Sequence, residues 1–489
     1  LGGDWDEESA NWKNNMGAGL VYSPGESVVF NDTAGGATNV NLTGILNPAS
    51  LTVSNHSLTY TFTGIGKLSG AMTLAKQGTG TLILANDGNN DFSGGVAIAG
   101  GVLRVGDGGT NGVLPAGGVV NNASLVFNRS NSVVNSSVIS GAGTLRKEGA
   151  GVLTLSGANS YSGLTTIAQG TVRAGNAAAL GTTNGGTLIA TGATLDVNGL
   201  GLGGEPLIVS GMGVSSNGAI VNSGAQITTA LRSVTLTSDT TFGGTGRWDI
   251  RNSGGAASLL TGGAPYKLTK VGTNQVSLVG VNPIDAALGD IDIQQGVFAI
   301  QTSTTQVGDA NRTIPVRSGA ALNLWALNAT PLNKRIVVEN GGTIWNESGA
   351  SIVVGPVTLT NGAATLNVGG TSLTFSNSAI AGPGGLVKIG PGIMTLRGIN
   401  SYTGSTLVST GTLALAGSGS INSSVAITVA GLAVLDVSAR MDGRLNLSSG
   451  QTLGGNGTLL GSLLATPGSI VSPGSSLGTL TVTNVITLQ

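Results

Sequence analysis

Lys147-Glu148-Gly149-Ala150-Gly151, followed by Leu153-Thr154-Leu155, Asn159-Ser160-Tyr161-Ser162-Gly163 and Gly170-Thr171-Val172, is a unit that the chain uses more than once. It returns as Lys388-Ile389-Gly390-Pro391-Gly392, Met394-Thr395-Leu396, Asn400-Ser401-Tyr402-Thr403-Gly404 and Gly411-Thr412-Leu413. From the lysine to the late glycine the spacing is 23 residues in both copies (170 − 147; 411 − 388). An earlier copy runs from Lys76-Gln77-Gly78-Thr79-Gly80 through Leu82-Ile83-Leu84 and Phe92-Ser93-Gly94 to Gly101-Val102-Leu103. A decayed one begins at Lys270-Val271-Gly272 and ends at Gly296-Val297-Phe298. Repetition on this scale marks stacked units whose cores are shared between neighbours.

The sequence between the copies has the same texture. Leu195-Asp196-Val197, Leu322-Asn323-Leu324, Leu366-Asn367-Val368 and Leu435-Asp436-Val437 alternate apolar and polar residues. That period puts the apolar set on one face of a strand. Gly, Asn, Ser or Pro clusters bracket the runs as turns. No window carries helical periodicity; Ala177-Ala178-Ala179-Leu180 is enough for one helical turn. The strands are short, glycine turns are frequent, and aromatics are too sparse for the Trp-rich blades of a propeller. The reading is all-β: a right-handed parallel β-helix, or β-solenoid, forming a single elongated rod. At roughly 22 residues per coil and about 4.8 Å per coil, the rod is expected to be on the order of 100 Å long.

Composition supports an array. The 489 residues include 84 glycines, where average usage would give roughly 34. Charged residues are 9% and net charge is −1. Stacking like charges in register is unfavourable, so a solenoid wall favours few charges. A basic footprint for nucleic acid or for an acidic membrane surface is missing. No apolar run reaches the about 18 residues of a transmembrane helix. With no cysteine and one histidine, His56, neither a disulfide framework nor a Cys/His zinc site is expected, and no cofactor is implied. The chain starts at Leu1, as expected of a processed or partial chain.

Three segments are expected: a cap-like N-terminal stretch and first coils (1–66), a repeat β-helix (67–450) and C-terminal coils (451–489). Trp5 and Trp12, within Asp4-Trp5-Asp6-Glu7-Glu8 and Asn11-Trp12-Lys13, are suited to plugging the first coil, because solenoid ends expose strand edges. The C-terminal sequence, which includes Ser475-Ser476-Leu477, Leu480 and Val482, stays strand-like to Gln489. Trp5, Trp12, Leu480 and Val482 are therefore candidate contacts for end-to-end self-association, a heterologous arrangement that builds filaments unless it closes.

The quoted units resemble the autotransporter-associated β-strand repeat of bacterial exported proteins. Gly175-Asn176-Ala177-Ala178-Ala179-Leu180-Gly181 is similar to the segment that follows such repeats, and Ser472-Pro473-Gly474 with Leu477-Gly478-Thr479-Leu480 to the recurring C-terminal coil. The resemblance implies a passenger-type β-helix, secreted or at a bacterial cell surface, without enzymatic activity: a stalk, adhesive or matrix component. No outer-membrane translocator barrel is visible in the chain.

Chemistry is weighed against that expectation. Some parallel β-helices act on polysaccharides. Asp290 and Asp292 share a strand face, with Asp285 nearby, and two carboxylates about 5–9.5 Å apart suit glycoside hydrolysis. Arg247, Asp249 and Arg251 share another face and are candidate glycan contacts, while Trp248 alternates into the core. The carboxylate pair also reads as a solvated face, with no basic partner nearby in sequence, and the arginine cluster as a local ion network. A surface glycan, or a host or matrix ligand, is the expected partner. His56 has no triad or metal partner in sequence. Trp325 and Trp345 are expected in the core or at a corner, and the repeat lysines at a structural position beside the glycine turn.

Overall fold

In a computed structural model the chain is described over residues 3–34, 38–376, 378–474 and 478–489. Ser475, Ser476 and Leu477 of the expected C-terminal coil lie outside the described residues. The fold is all-β and consists of parallel β-solenoid coils. Contacts divide the chain into two units, Leu1–Ser233 and Val234–Gln489. Among the described residues there is no α-helix; Ala177–Leu180 is a single turn, held by Ala179 N–H on Asn176 O at 3.0 Å and Gly181 N–H on Ala178 O at 3.1 Å.

In the first unit, Ser27–Asn31, Ser50–Ser54, Thr73–Gln77, Val96–Ile98, Val119–Asn121 and Ile139–Ser140 form one parallel wall. Their register stacks Val28, Leu51, Leu74, Val96, Val119 and Ile139 into one inward column, all buried. A second wall stacks Tyr60, Leu82, Leu103, Leu125 and Leu145 in the same way. The second unit repeats the plan: Trp248, Val276, Phe298, Leu322, Ile344 and Leu366 form one column, and Leu373, Met394, Leu413, Leu435, Leu459 and Val482 another. Alternation thus sets direction, and the coil-to-coil ladder sets register.

The four repeat lysines sit inside these columns. Lys147 stacks between Phe127 and Ile167, Lys76 between Val53 and Ile98, Lys270 between Phe242 and Ile293, and Lys388 between Leu366 and Val408. All four are buried. The aliphatic stem packs in the column and the ammonium reaches the corner. There Lys388 Nζ donates to Ile389 O at 2.9 Å, Gly390 O at 2.8 Å and, in the next coil, Thr410 O at 3.0 Å. Lys147 Nζ makes the same three bonds to Glu148, Gly149 and Gln169, and Lys270 to Val271, Gly272 and Gln295. Lys76 does so with Gln77, Gly78 and Gly100. The glycines of the motif follow from this. Gly390 has φ +81° and Gly411 φ +69°, left-handed values that L residues avoid. A Cβ on Gly411 would also stand 2.3 Å from Gly390 O and 3.0 Å from the Lys388 ammonium.

Asparagine completes three of the four copies, and tyrosine two of those three. Asn159 Oδ1 accepts from Ile139 N–H in the preceding coil at 2.9 Å, and its Nδ2 donates to Ala179 O in the following coil at 2.7 Å. Asn400 clamps Ile380 and Ser420, and Asn90 clamps Leu68 and Val113, in the same way. These amides bridge backbone to backbone across three coils. Two residues on, Tyr161 OH meets Thr165 Oγ1 at 2.6 Å and Tyr402 OH meets Thr406 Oγ1 at 2.6 Å, both buried. In the first copy the pair is Phe92 and Val96, also buried. Both hydroxyls are exchanged together, which keeps the core free of an orphan.

The N-terminal segment closes the first coils with rings. Trp5 is 0% exposed and packs against Trp12, Tyr22, Phe30 and Phe62 with centroids 5.2 to 5.9 Å apart. Asp4–Trp5 pairs in parallel with Asn41–Leu42. Trp12–Lys13 and Gly19–Leu20 form an antiparallel pair beside it.

Two stability outcomes follow. Lys388→Met strips three carbonyls of their donor while keeping the stem. It should cost about 2–4 kcal/mol and raise amide exchange selectively in the coils around 386–415, and unchanged exchange there would refute the role given to the ammonium. Thr165→Val alone should cost about 2 kcal/mol by orphaning the Tyr161 hydroxyl, and adding Tyr161→Phe should restore part of the loss. A double-mutant cycle in urea unfolding reads the coupling.

Candidate functional site

Of the predicted glycan contacts, Asp249, Arg251 and Asp292 take outward positions of strands, and Arg247 and Asp290 stand immediately before those strands. Asp249 stands on the outer face of Trp248–Arg251, yet it is 0% exposed. Its carboxylate accepts from Arg247 Nε at 3.0 Å and Nη2 at 3.1 Å, and from Arg251 Nη2 at 2.7 Å. The carboxylate is enclosed by its own wall and presents no free oxygen to a ligand. Trp248 is buried as its parity requires, with its ring 5.1 Å from Phe242 and Nε1–H donated to Gly243 O at 2.9 Å.

Asp290 and Asp292 are held by the next coil. Asp290 Oδ1 accepts from Thr313 N–H at 2.7 Å and Thr313 Oγ1–H at 3.1 Å. Asp292 accepts from Arg317 Nε at 2.8 Å and Gln294 Nε2 at 2.9 Å, and Arg317 continues to Glu339 at 2.7 Å. Burial works to raise the Asp292 carboxyl, but the bonds from Arg317 and Gln294 hold it below the ordinary carboxylate range. Backbone N–H groups of Ala287 and Gly263 lower Asp285 as well. A glycosidase needs one carboxyl with a raised pKa; neither Asp285 nor Asp292 has one. The arrangement is an ionic wall, with Arg173–Asp196 at 2.8 Å and Arg146–Glu148 at 2.8 Å as further examples.

Glu205 is a raised carboxyl that the sequence did not disclose. Burial pushes it up to about 7, against a hydrogen bond from Thr187 Oγ1 at 2.7 Å. It is 3% exposed, so it faces the core and not a substrate. A fifth buried lysine, Lys334, was also missed. Its Nζ donates to Asp309 O at 2.8 Å and Leu288 O at 3.4 Å, and burial lowers it to about 8. Nothing around it repeats the motif, so no spacing announces it.

His56 has a partner after all, one coil back. Its Nδ1 lies 3.5 Å from Asp32, which also accepts the N–H groups of His56, Ser57 and Leu58. Those backbone bonds lower the Asp32 carboxyl to about 2. The pair is a turn lock: no third group completes a triad in these contacts. Among the described residues, no group of three or more His, Cys, Asp or Glu side chains is placed to hold a metal. At the N-terminus Trp5 has no surface left for a second copy, while Trp12 is half-buried. Val482 is half-buried as the rung that follows Leu459, and Leu480 is half-buried outside any strand.

The expected position of Trp325 and Trp345 is corrected. Leu322 and Leu324 point inward, so Trp325 points out; Ile344 points inward, so Trp345 points out. Both indoles are half-exposed on the outer wall of the second unit.

With the geometry in place, comparison with known proteins agrees with it. Residues 74–105, 145–174 and 386–415 match the passenger-associated-transport-repeat. The chain is thus a parallel β-solenoid carrying the repeat of exported passengers, as the Lys-x-Gly-x-Gly units suggested. The chain is also similar to the adhesin BmaC autotransporter of Brucella suis biovar 1 (strain 1330), with 29% identity over 429 residues. The match covers 83% of this chain and 11% of the relative, so the chain spans a small part of the length of the relative it matches. No solved structure matches the chain. No helix among the described residues is long and apolar enough to cross a membrane.

Glu205 gives this wall a pH dependence. The folded state holds the Glu205 proton more tightly than the unfolded chain, whose carboxyl titrates near 4.3. The contribution is therefore fully present below about 4.3 and is lost as pH rises through about 7. Glu205→Gln should flatten stability between pH 4.5 and 7.5 by on the order of 3 kcal/mol, read from urea midpoints across that range. An unchanged pH profile would count against a neutral buried carboxyl.

Proposed function

We propose that the chain is a non-enzymatic adhesive segment of a secreted or surface-displayed bacterial β-solenoid. The observation that carries the reading is the likeness to an adhesin over 83% of the chain. The site geometry supports it: the acidic residues that would serve a hydrolase are tied into arginine pairs and backbone caps. An adhesive wall needs a stiff scaffold and exposed side chains, and stacked coils supply both. The interior does structural work in every coil, which leaves the outer walls for recognition.

Beads coated with the purified chain should adhere to cultured epithelial cells severalfold more than albumin-coated beads. Asp290→Asn and Asp292→Asn should leave that adhesion unchanged. Adhesion no better than albumin would remove the adhesive reading. Release of reducing ends from a polysaccharide panel, abolished by either substitution, would replace it with an enzymatic one.

A further inference from the structure

The outer wall of the second unit contains a local departure from the solenoid's rules. Outward columns along these coils are Asp249, Ser277, Ala299, Asn323, Trp345 and Asn367, and beside it Arg251, Val279, Gln301 and Trp325. Leu324 pairs with Asn346 but Trp325 pairs with Ser348, so Glu347 is the extra residue of a β-bulge. Bulges bend a strand and re-aim its side chains. Directly after Trp325, Ala326 takes φ +51°, a left-handed conformation held by a residue other than glycine. Both irregularities fall where the two outward tryptophans stand.

The polar groups one rung before the two tryptophans are incompletely used. Asn323 is fully buried; its Nδ2 donates to Glu347 Oε2 at 2.6 Å, and its Oδ1 has no hydrogen-bond partner. Gln301, the ladder neighbour of Trp325, is 5% exposed with Nε2 lacking a partner. Buried polar atoms without partners are rare, and each calls for a reason. Here an acceptor and a donor lie one rung before two half-buried indoles.

We propose that Trp325 and Trp345 form a carbohydrate-binding ledge, on which pyranose rings lie against the indoles while their hydroxyls bond Glu347, Gln301 and Asn323. The ledge rests on the adhesive reading and names the ligand class. Trp345 follows Asn323 in the ladder, two residues from Trp325, so the rings are diagonal neighbours with Cα atoms about 8 Å apart. Flat apolar faces with a few flanking hydrogen-bonding groups fit a sugar ring, which has an apolar C–H face and a polar rim. An anionic partner is disfavoured, because Arg251 lies three rungs before Trp325 and, like Arg247, already pairs with Asp249, while the charge at the ledge itself is the Glu347 carboxylate. A protein partner would need roughly 800 Å² on this side, more than two half-buried rings provide. Ligand entry would draw Asn323 and Gln301 outward, so binding should be accompanied by a side-chain rearrangement.

The test uses an array of immobilised oligosaccharides of two to six pyranose units. The intact chain should bind at least one class. Trp325→Ala and Trp345→Ala should each weaken binding about tenfold or more, while Trp345→Phe stays within a few-fold. Both rings lie outside the core, so melting should shift little. A second measurement works on the unaltered chain: the bound oligosaccharide should shield two of the five tryptophans from iodide quenching. Absence of any glycan binding, binding that survives both alanine variants, or no shielding would each overturn the ledge. Beads that still adhere equally to periodate-oxidised cells would sink the ledge and leave the adhesive reading standing. Beads that adhere to no cell would sink the adhesive reading, and the array alone would then judge the ledge.

Discussion

The structure depends on a buried cation that collects three carbonyl oxygens. Burial pushes Lys270 down to about 7 and Lys147 and Lys388 to about 8. Carbonyl oxygens at 2.7 to 3.3 Å pull the other way, because they stabilise the charged form. A charge-assisted hydrogen bond contributes about 1.5–3 kcal/mol, and desolvating an ammonium costs several kcal/mol. The two nearly offset, so the lysine adds modest net stability. Its larger effect is on register. A one-residue slip would turn the lysine outward and leave the glycine turn without its donor. The third carbonyl belongs to the next coil, so each lysine also sets the height of its neighbour.

The same logic governs the other polar groups of the repeat. Asn90, Asn159 and Asn400 join three coils through backbone groups that the strand ladders do not reach. Stacked amide ladders, which the recurrence of asparagine suggests, would link asparagines in successive coils. The observed clamps instead sit once in each of three copies and hold turns on either side. Tyrosine and threonine form a pair that is kept or lost as a unit, as Phe92 and Val96 demonstrate. In the three copies that carry the clamp, its polar groups are satisfied within the copy and the coils on either side, and that allows copies to be separated by unrelated coils.

Much of this was legible in the sequence. Alternation gave the walls, and glycine gave the corners. The inward direction of the lysines was legible too: Leu74 and Lys76, Leu145 and Lys147, Leu268 and Lys270, and Leu386 and Lys388 each share parity. The same rule places Trp325 and Trp345 outside, although bulk and apolarity suggest a core position. Parity along a strand is therefore a better guide than residue type where most strands are only three to six residues long. What the sequence could not disclose depends on neighbouring coils. Asp32 lies one coil before His56, Arg317 one coil after Asp292, and Lys334 answers to Leu288 and Asp309. Such partners stand some 22 to 46 residues away, at offsets that change with each turn length.

The division between core and wall explains where recognition can arise. Inside, each side chain touches like residues above and below, so a substitution is felt in three coils and tolerance is low. Outside, a residue is constrained by its ladder neighbours alone. Many outer charges are paired, within a strand or between coils, which limits repulsion along the stack while leaving little net field for long-range attraction. On a wall with so little net charge, the proposed recognition rests on shape and hydrogen bonds. The bulge at Glu347 and the two outward indoles supply both at one place, without altering the inward columns on which the coils depend.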